Sequence, residues 1–245
     1  MRNRVMTVVL AVVALCVALC TAFVAAPHHE LLQNLWVSQR VTAAYTIACV
    51  GDSITYGQGV LLHRTSQSYP AYLQAALGKG YLVENYGVSG RTLLSSGDKP
   101  YTRETAYGSS LAVHADLYII MLGTNDSKPL NWNAAEYEKQ LKQFVEHYQM
   151  VQGSPDVVLM QPPRAFASGN GVIKHRISNV VISGRLHSIV ARVGQQTHSQ
   201  VIDLYSFTRD HPEWFKDGVH PNAEGNEAIA DYIHAQLVKA GKVAE

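Results

Sequence analysis

From Tyr45 onward, short near-continuous apolar runs alternate with longer segments of helical period, and this pattern constrains the fold more than any other feature of the chain. The runs are Tyr45–Val50, Tyr81–Glu84, Leu117–Leu122, Val157–Met160 and Val201–Leu204, flanked by Gly, Pro, Asp and Asn. A strand with one face in water alternates apolar and polar residues, whereas a strand covered on both faces does not need to. Runs of this kind, separated by helices, predict an α/β fold with a parallel sheet and helices on both faces.

The intervening helices are legible as apolar stripes. Tyr137, Leu141, Phe144 and Tyr148 recur at helical spacing, and Asn133 with Glu136 ahead of them resembles a capping box. Ile182, Leu186, Ile189 and Val193 form a second stripe, and Ile229, Ile233 and Leu237 a third. Such stripes are core faces and carry no chemistry. The chain of 245 residues suits one domain of enzyme size, residues 45–245, behind an N-terminal appendage.

That appendage reads as an export signal. Arg2 and Arg4 precede an uncharged stretch, Val5–Ala26, whose 22 residues would span roughly 33 Å as a helix. Residues 1–26 are expected to be a cleaved signal peptide or an uncleaved signal-anchor helix. The small residues Val24-Ala25-Ala26 offer a poor cleavage site, and Pro27 follows at once. The length suits an anchor, with the arginines retained in the cytoplasm. Either fate places the domain outside the cytoplasm. Residues 27–44, with Leu31, Leu32, Leu35 and Trp36, read as a connector.

Several classes are disfavoured. A net charge of +1, with scattered Lys and Arg, gives no pull toward nucleic acid, and contact with a membrane is expected only through the N-terminal segment. No GxGxxG follows the first strand, against a nicotinamide-linked oxidoreductase. No CxxC or HExxH occurs, and His28-His29-Glu30 lacks the second histidine of a helical zinc site, so no metal and no cofactor are predicted. Of the three cysteines, Cys16 and Cys20 lie in the apolar N-terminal run. Cys49 alone falls in the domain, where it reads as a small buried apolar residue without a disulfide partner.

Four segments stand at strand ends or in loops before helices, where open α/β sheets place their ligands. Gly51-Asp52-Ser53 follows the first strand and could either expose a hydroxyl or cap a helix. Asn85-Tyr86-Gly87-Val88-Ser89-Gly90 follows the second, and its glycines let backbone N–H groups approach a ligand. Gly123-Thr124-Asn125-Asp126 follows the third and offers an amide donor or a plain turn. Asp217-Gly218-Val219-His220-Pro221 precedes the last helix, where a carboxylate three residues before a histidine can orient its ring. Each alone is a weak signal. Together, nucleophile, backbone donor, amide donor and Asp–His pair make up the parts of acyl transfer through a covalent intermediate.

These four segments resemble blocks I, II, III and V of the SGNH (GDSL-type) hydrolases, and the resemblance runs from about Tyr45 to the last helix. It implies a three-layer α/β/α sandwich with a flavodoxin-like parallel sheet of about five strands. It also implies Ser53 as nucleophile, His220 as general base and Asp217 as its orienting carboxylate. The oxyanion would be held by the N–H groups of Ser53 and Gly90 and by the Asn125 side chain.

The segments Met121–Trp132 and Glu213-Trp214-Phe215 look like those of carbohydrate O-acetylesterases within that family. The expected partner is a small-acyl ester, an acetylated glycan first. A lysophospholipase or thioesterase, a cell-wall O-acetyltransferase, and a non-catalytic glycan-binding module stand as alternatives. Tyr56, Trp132 and Trp214 either line a sugar-binding cleft or serve as packing.

Overall fold

The computed structural model describes residues 43–169 and 171–244, so the expectations for 1–26 and for nearly all of 27–44 lie outside the described residues. The apolar runs form strands β1 (Tyr45–Gly51), β2 (Tyr81–Gly87), β3 (Leu117–Met121), β4 (Asp156–Gln161) and β5 (Gln200–Asp203). All neighbouring pairs are parallel, in the order β2-β1-β3-β4-β5. Bounds differ from the apolar runs by one to three residues. Leu204, expected to end a strand, instead opens the short helix Leu204–Thr208, because Asp203 caps it by accepting from Ser206 N–H at 2.9 Å.

Alternation along each strand divides the core in two. Ala48, Val50, Tyr118, Ile120, Val157 and Leu159 face one layer, while Ile47, Cys49, Ile119, Met121, Val158 and Met160 face the other. Against the first face pack α4 (Ala134–Gln149) and α5 (His187–Gln196), through Tyr137, Leu141, Phe144, Tyr148, Ile189 and Val193. Thr105–Ala112 is α3; its Ala106, Tyr107 and Leu111 lie beside the same cluster. Against the second pack α2 (Tyr69–Leu77) and α6 (Ala223–Lys239), through Tyr69, Leu73, Ile229, Ile233 and Leu237. The result is the expected three-layer α/β/α sandwich.

The stripes behave as their periodicity predicts, with two refinements. Asn133 caps α4 by accepting from Glu136 N–H at 3.1 Å, but the Glu136 carboxylate turns to Gln140 and Lys139 rather than back to the cap. The stripe beginning at Ile182 runs first through a π-helical segment, Ile182–Leu186, before α5. Cys49 is buried and free, and burial pushes its thiol up to about 12, which leaves it unreactive. Among the described residues no helix is long and apolar enough to cross a membrane.

The strand order decides where a site can form. The chain winds outward from β1 to β2, then returns past β1 to β3 and continues the other way. Loops leaving the carboxyl ends of β1 and β3 therefore diverge and leave a crevice between them. Ser53 follows β1, and Asn125 follows β3.

Candidate active site

The loop after β1 is built around a buried carboxylate. Asp52 is fully buried and caps the short helix α1 (Ser53–Tyr56), its Oδ1 accepting from Ile54 N–H at 2.9 Å. Asp52, not Ser53, is thus the cap, and Ser53 becomes the first helical residue. In that position its own N–H has no intrahelical acceptor. Burial raises the Asp52 carboxyl above its ordinary value, against the hydrogen bond from Ile54 and the charge of His220.

The loop before α6 presents the histidine. Gly218 adopts φ +80°, and a Cβ there would lie 2.2 Å from Phe166 O. Both the conformation and the space therefore require glycine. The turn lets Asp217 Oδ1 accept from Val219 N–H (3.0 Å) and His220 N–H (2.8 Å), while Oδ2 meets His220 Nδ1 at 2.8 Å. Burial alone would raise the Asp217 carboxyl. The His220 ring and the two backbone N–H groups outweigh it and hold the group well below the usual carboxylate range. The other ring nitrogen, Nε2, lies 2.9 Å from Ser53 Oγ. The structure thus joins residues 167 positions apart in one series: carboxylate, imidazole, hydroxyl.

Asn226 ties the turn to α2. Its Nδ2 donates to Pro221 O (2.8 Å) and Asn222 O (2.9 Å), and its Oδ1 accepts from Tyr69 N–H of α2 (3.0 Å). Asn226 is fully buried, so these bonds fix the start of α6 against α2. Nothing in the linear sequence marks it out from other helical asparagines.

Gly90 and Asn125 complete the set. Gly90 has φ +83°, and a Cβ there would meet nothing closer than Lys99 Cδ at 3.8 Å, so the requirement is conformational. Asn125 Nδ2 donates to Asp52 Oδ2 (3.3 Å) and to Arg91 O (3.2 Å). Both bonds are long. Asp126 beside it is buried, with its oxygens accepting from Leu93 N–H (3.0 Å) and Leu94 N–H (2.8 Å). Burial pushes its carboxyl up to about 7, against those two bonds.

Ser53, Gly90, Asn125 and His220 all line one cleft of about 310 Å³, together with Gln58, Ser89, Lys99, Thr124, Lys128, His175, Ile177 and Val219. Tyr56, Trp132 and Trp214 are not on that lining. Tyr56 lies under the Arg64 guanidinium at 3.9 Å, Trp132 packs on Tyr137 at 5.4 Å, and Trp214 stacks on His211 at 3.9 Å. Of the two readings for these aromatics, packing is the one their contacts support.

His175 was not legible as a site residue. It sits in the left-handed region (φ +60°) and places its ring 5.8 Å from that of His220, edge to face. Burial lowers its imidazole below the ordinary value, and the charges of His220 and Lys174 add to that. Donor atoms of His175, Asp217 and His220 all lie within 4.8 Å of one another, a spacing a divalent ion could bridge. Such an ion would compete for the Asp217 and His220 atoms that hold the series with Ser53.

A doubly covered parallel sheet with hydroxyl, imidazole and carboxylate in series at its carboxyl edge has the parts of an ester hydrolase. The comparison of families agrees and goes further: the chain belongs to the GDSL-like lipase/acylhydrolase family, whose model matches residues 49–228. It is 35% identical, over 234 residues, to an acetylxylan esterase of Xylanibacter ruminicola, covering 86% of this chain and 48% of that protein. The chain thus spans about half the length of that relative. Among solved structures it is similar to a carbohydrate acetylesterase family member from Sinorhizobium meliloti (26% identity, TM-score 0.66, 80% of this chain and 98% of that one). It is also similar to a lipase/acylhydrolase from Enterococcus faecalis (26% identity, TM-score 0.61, 80% and 96%).

Proposed function

We propose that this chain is a carboxylic ester hydrolase that removes short acyl groups, chiefly acetyl, from carbohydrate. The observation that carries the reading is the series Ser53 Oγ–His220 Nε2 (2.9 Å) and His220 Nδ1–Asp217 Oδ2 (2.8 Å), opening onto a cleft beside Gly90 and Asn125. His220 Nε2 takes the Ser53 proton as Oγ attacks the ester carbonyl, and Asp217 stabilises the imidazolium. The N–H groups of Ser53 and Gly90 and the Asn125 amide hold the oxyanion. His220 then protonates the departing alcohol, and the acyl group stays on Ser53. A water that gives its proton to His220 attacks this acyl-serine, and the acid leaves as Ser53 regains its proton.

The substrate class rests on the cleft and on the relatives. Gln58, Ser89, Lys99 and Lys128 put polar and cationic groups on the walls beside Ile177 and Val219, and these polar groups suit a hydroxylated alcohol. The similarity to an acetylxylan esterase and to a carbohydrate acetylesterase points the same way. The apolar stretch Val5–Ala26 supports placing the domain outside the cytoplasm, where polysaccharide esters are found.

The test is hydrolysis of p-nitrophenyl acetate, butyrate and octanoate and release of acetate from acetylated xylan, by the wild type and by Ser53→Ala. Turnover highest on acetate and absent in Ser53→Ala is expected, with Ser53 labelled by a fluorophosphonate. Equal background rates for the two proteins on every ester, with no labelling, would sink the reading.

A further inference from the structure

Resting on the esterase reading above, we infer that Lys99 and Lys128 form a carboxylate-binding subsite, which makes the preferred substrate an acetyl ester of an acidic sugar such as a uronic acid. Both lysines line the same cleft as Ser53. The carboxylates near them are already engaged. Asp98 is held by Asn131 Nδ2 at 2.9 Å and reaches Lys128 Nζ only at 3.5 Å. Asp217 is held by His220 and by Lys174 at 3.3 Å, and Asp52 is buried beneath Asn125. Among the described residues Lys99 has no carboxylate within ion-pair distance.

Two cations therefore face the cleft, and among the described residues Asp98, off the lining, is the one carboxylate paired to either of them. The Lys128 side chain is only 16% exposed, so its charge is poorly screened by water. The chain as a whole carries a net charge of only +1, so this excess belongs to the cleft rather than to a generally basic surface. Position narrows the ligand further. Lys99 lies over Gly90, and Lys128 follows Asn125 by three residues, so both flank the groups proposed to hold the ester oxygen. An acetyl group bears no charge. The anion that meets these lysines must then sit on the sugar, within a few bonds of the ester.

The experiment compares kcat/KM for acetylated methyl glucuronoside with acetylated methyl glucoside, in the wild type, Lys99→Met, Lys128→Met and the double variant. Lys79→Met, at the opposite end of the sheet just before β2, controls for net charge. p-Nitrophenyl acetate reports the esterase reading itself, and mono-(p-nitrophenyl) succinate places the carboxylate on the acyl side. The expected result is a preference of about tenfold for the glucuronoside that falls to about twofold or less in the double variant. Raising salt to about 0.5 M should also reduce it, while Lys79→Met should not.

Turnover of p-nitrophenyl acetate with no preference between the two sugars would overturn this inference and leave the esterase reading standing. A preference for the succinate that the lysine variants abolish would overturn it as well, moving the anion to the acyl side. No turnover of any ester would remove both.

Discussion

Asn125→Ala removes a group that the site uses both for chemistry and for architecture. The amide is proposed to donate one of three hydrogen bonds to the oxyanion, and loss of one such donor costs about 2.7–4 kcal/mol of transition-state stabilisation. At about 1.4 kcal/mol per decade, kcat on p-nitrophenyl acetate should fall about two to three decades. The structure adds a second consequence. Asn125 Nδ2 also donates to Asp52 Oδ2 and Arg91 O, and Asp52 is fully buried. Leaving that carboxylate oxygen without its donor costs about 1–3 kcal/mol of stability. The assay is therefore paired: steady-state hydrolysis beside chemical denaturation of the same preparation. The expected outcome is a large loss in kcat together with a measurable loss of stability, in protein that remains folded at the assay temperature. A loss in kcat below threefold in folded protein would refute the oxyanion role. A loss in kcat of two decades or more with unchanged stability would refute the argument that Asn125 satisfies Asp52.

Three further outcomes follow from the same geometry. Asp217→Asn keeps an oxygen to accept from the Val219 and His220 N–H groups but no longer fixes the His220 tautomer, so kcat should fall about 10⁴-fold while the fold survives; a change under tenfold counts against the proposed role of Asp217. Gly90→Ala has room for its Cβ but must hold φ +83°, at a cost of about 1 kcal/mol, and should turn the 89–90 peptide, which carries the Gly90 N–H, away from the oxyanion; unchanged kcat and stability would contradict this. Asp126 ionises at about 7 in the folded chain and near 4 when unfolded, so the folded state holds the extra proton between those values and stability declines as pH rises through that window. The Asp217 contribution has the opposite sign and is already complete above the unfolded carboxylate value. Between pH 5 and 8 the stability of wild type relative to Asp126→Asn should therefore fall by up to a few kcal/mol, read from denaturant midpoints, and parallel curves would dismiss it.

Local signals were enough for much of this protein. Apolar runs such as Leu117–Leu122 have one economical use, a strand covered on both faces, and the stripe Tyr137, Leu141, Phe144, Tyr148 has one face to bury. Ser53, Asn125 and the Asp217–His220 pair were legible because each follows a strand or precedes a helix, and the Asp–His contact is local, spanning three residues. What the linear sequence could not express is everything that depends on distant chain segments meeting. Asp52 and Asn226 look like ordinary turn and helix residues until burial and long-range hydrogen bonds to Asn125 and Tyr69 give them work. His175, Lys99 and Lys128 have no sequence signature, because a cleft is defined by which loops converge and not by which residues adjoin. The aromatics Tyr56, Trp132 and Trp214 had the right composition for a sugar platform, yet their rings meet Arg64, Tyr137 and His211, none of which lines the cleft. Apolar runs and stripes alone were enough to give the layers and the five strands to within three residues, and the motifs gave the candidate site residues. The 2.9 Å between Ser53 and His220 arises only in the folded chain, because Asn226 locks the turn before α6 against α2, and the charge of the cleft arises there too, because distant loops converge on it.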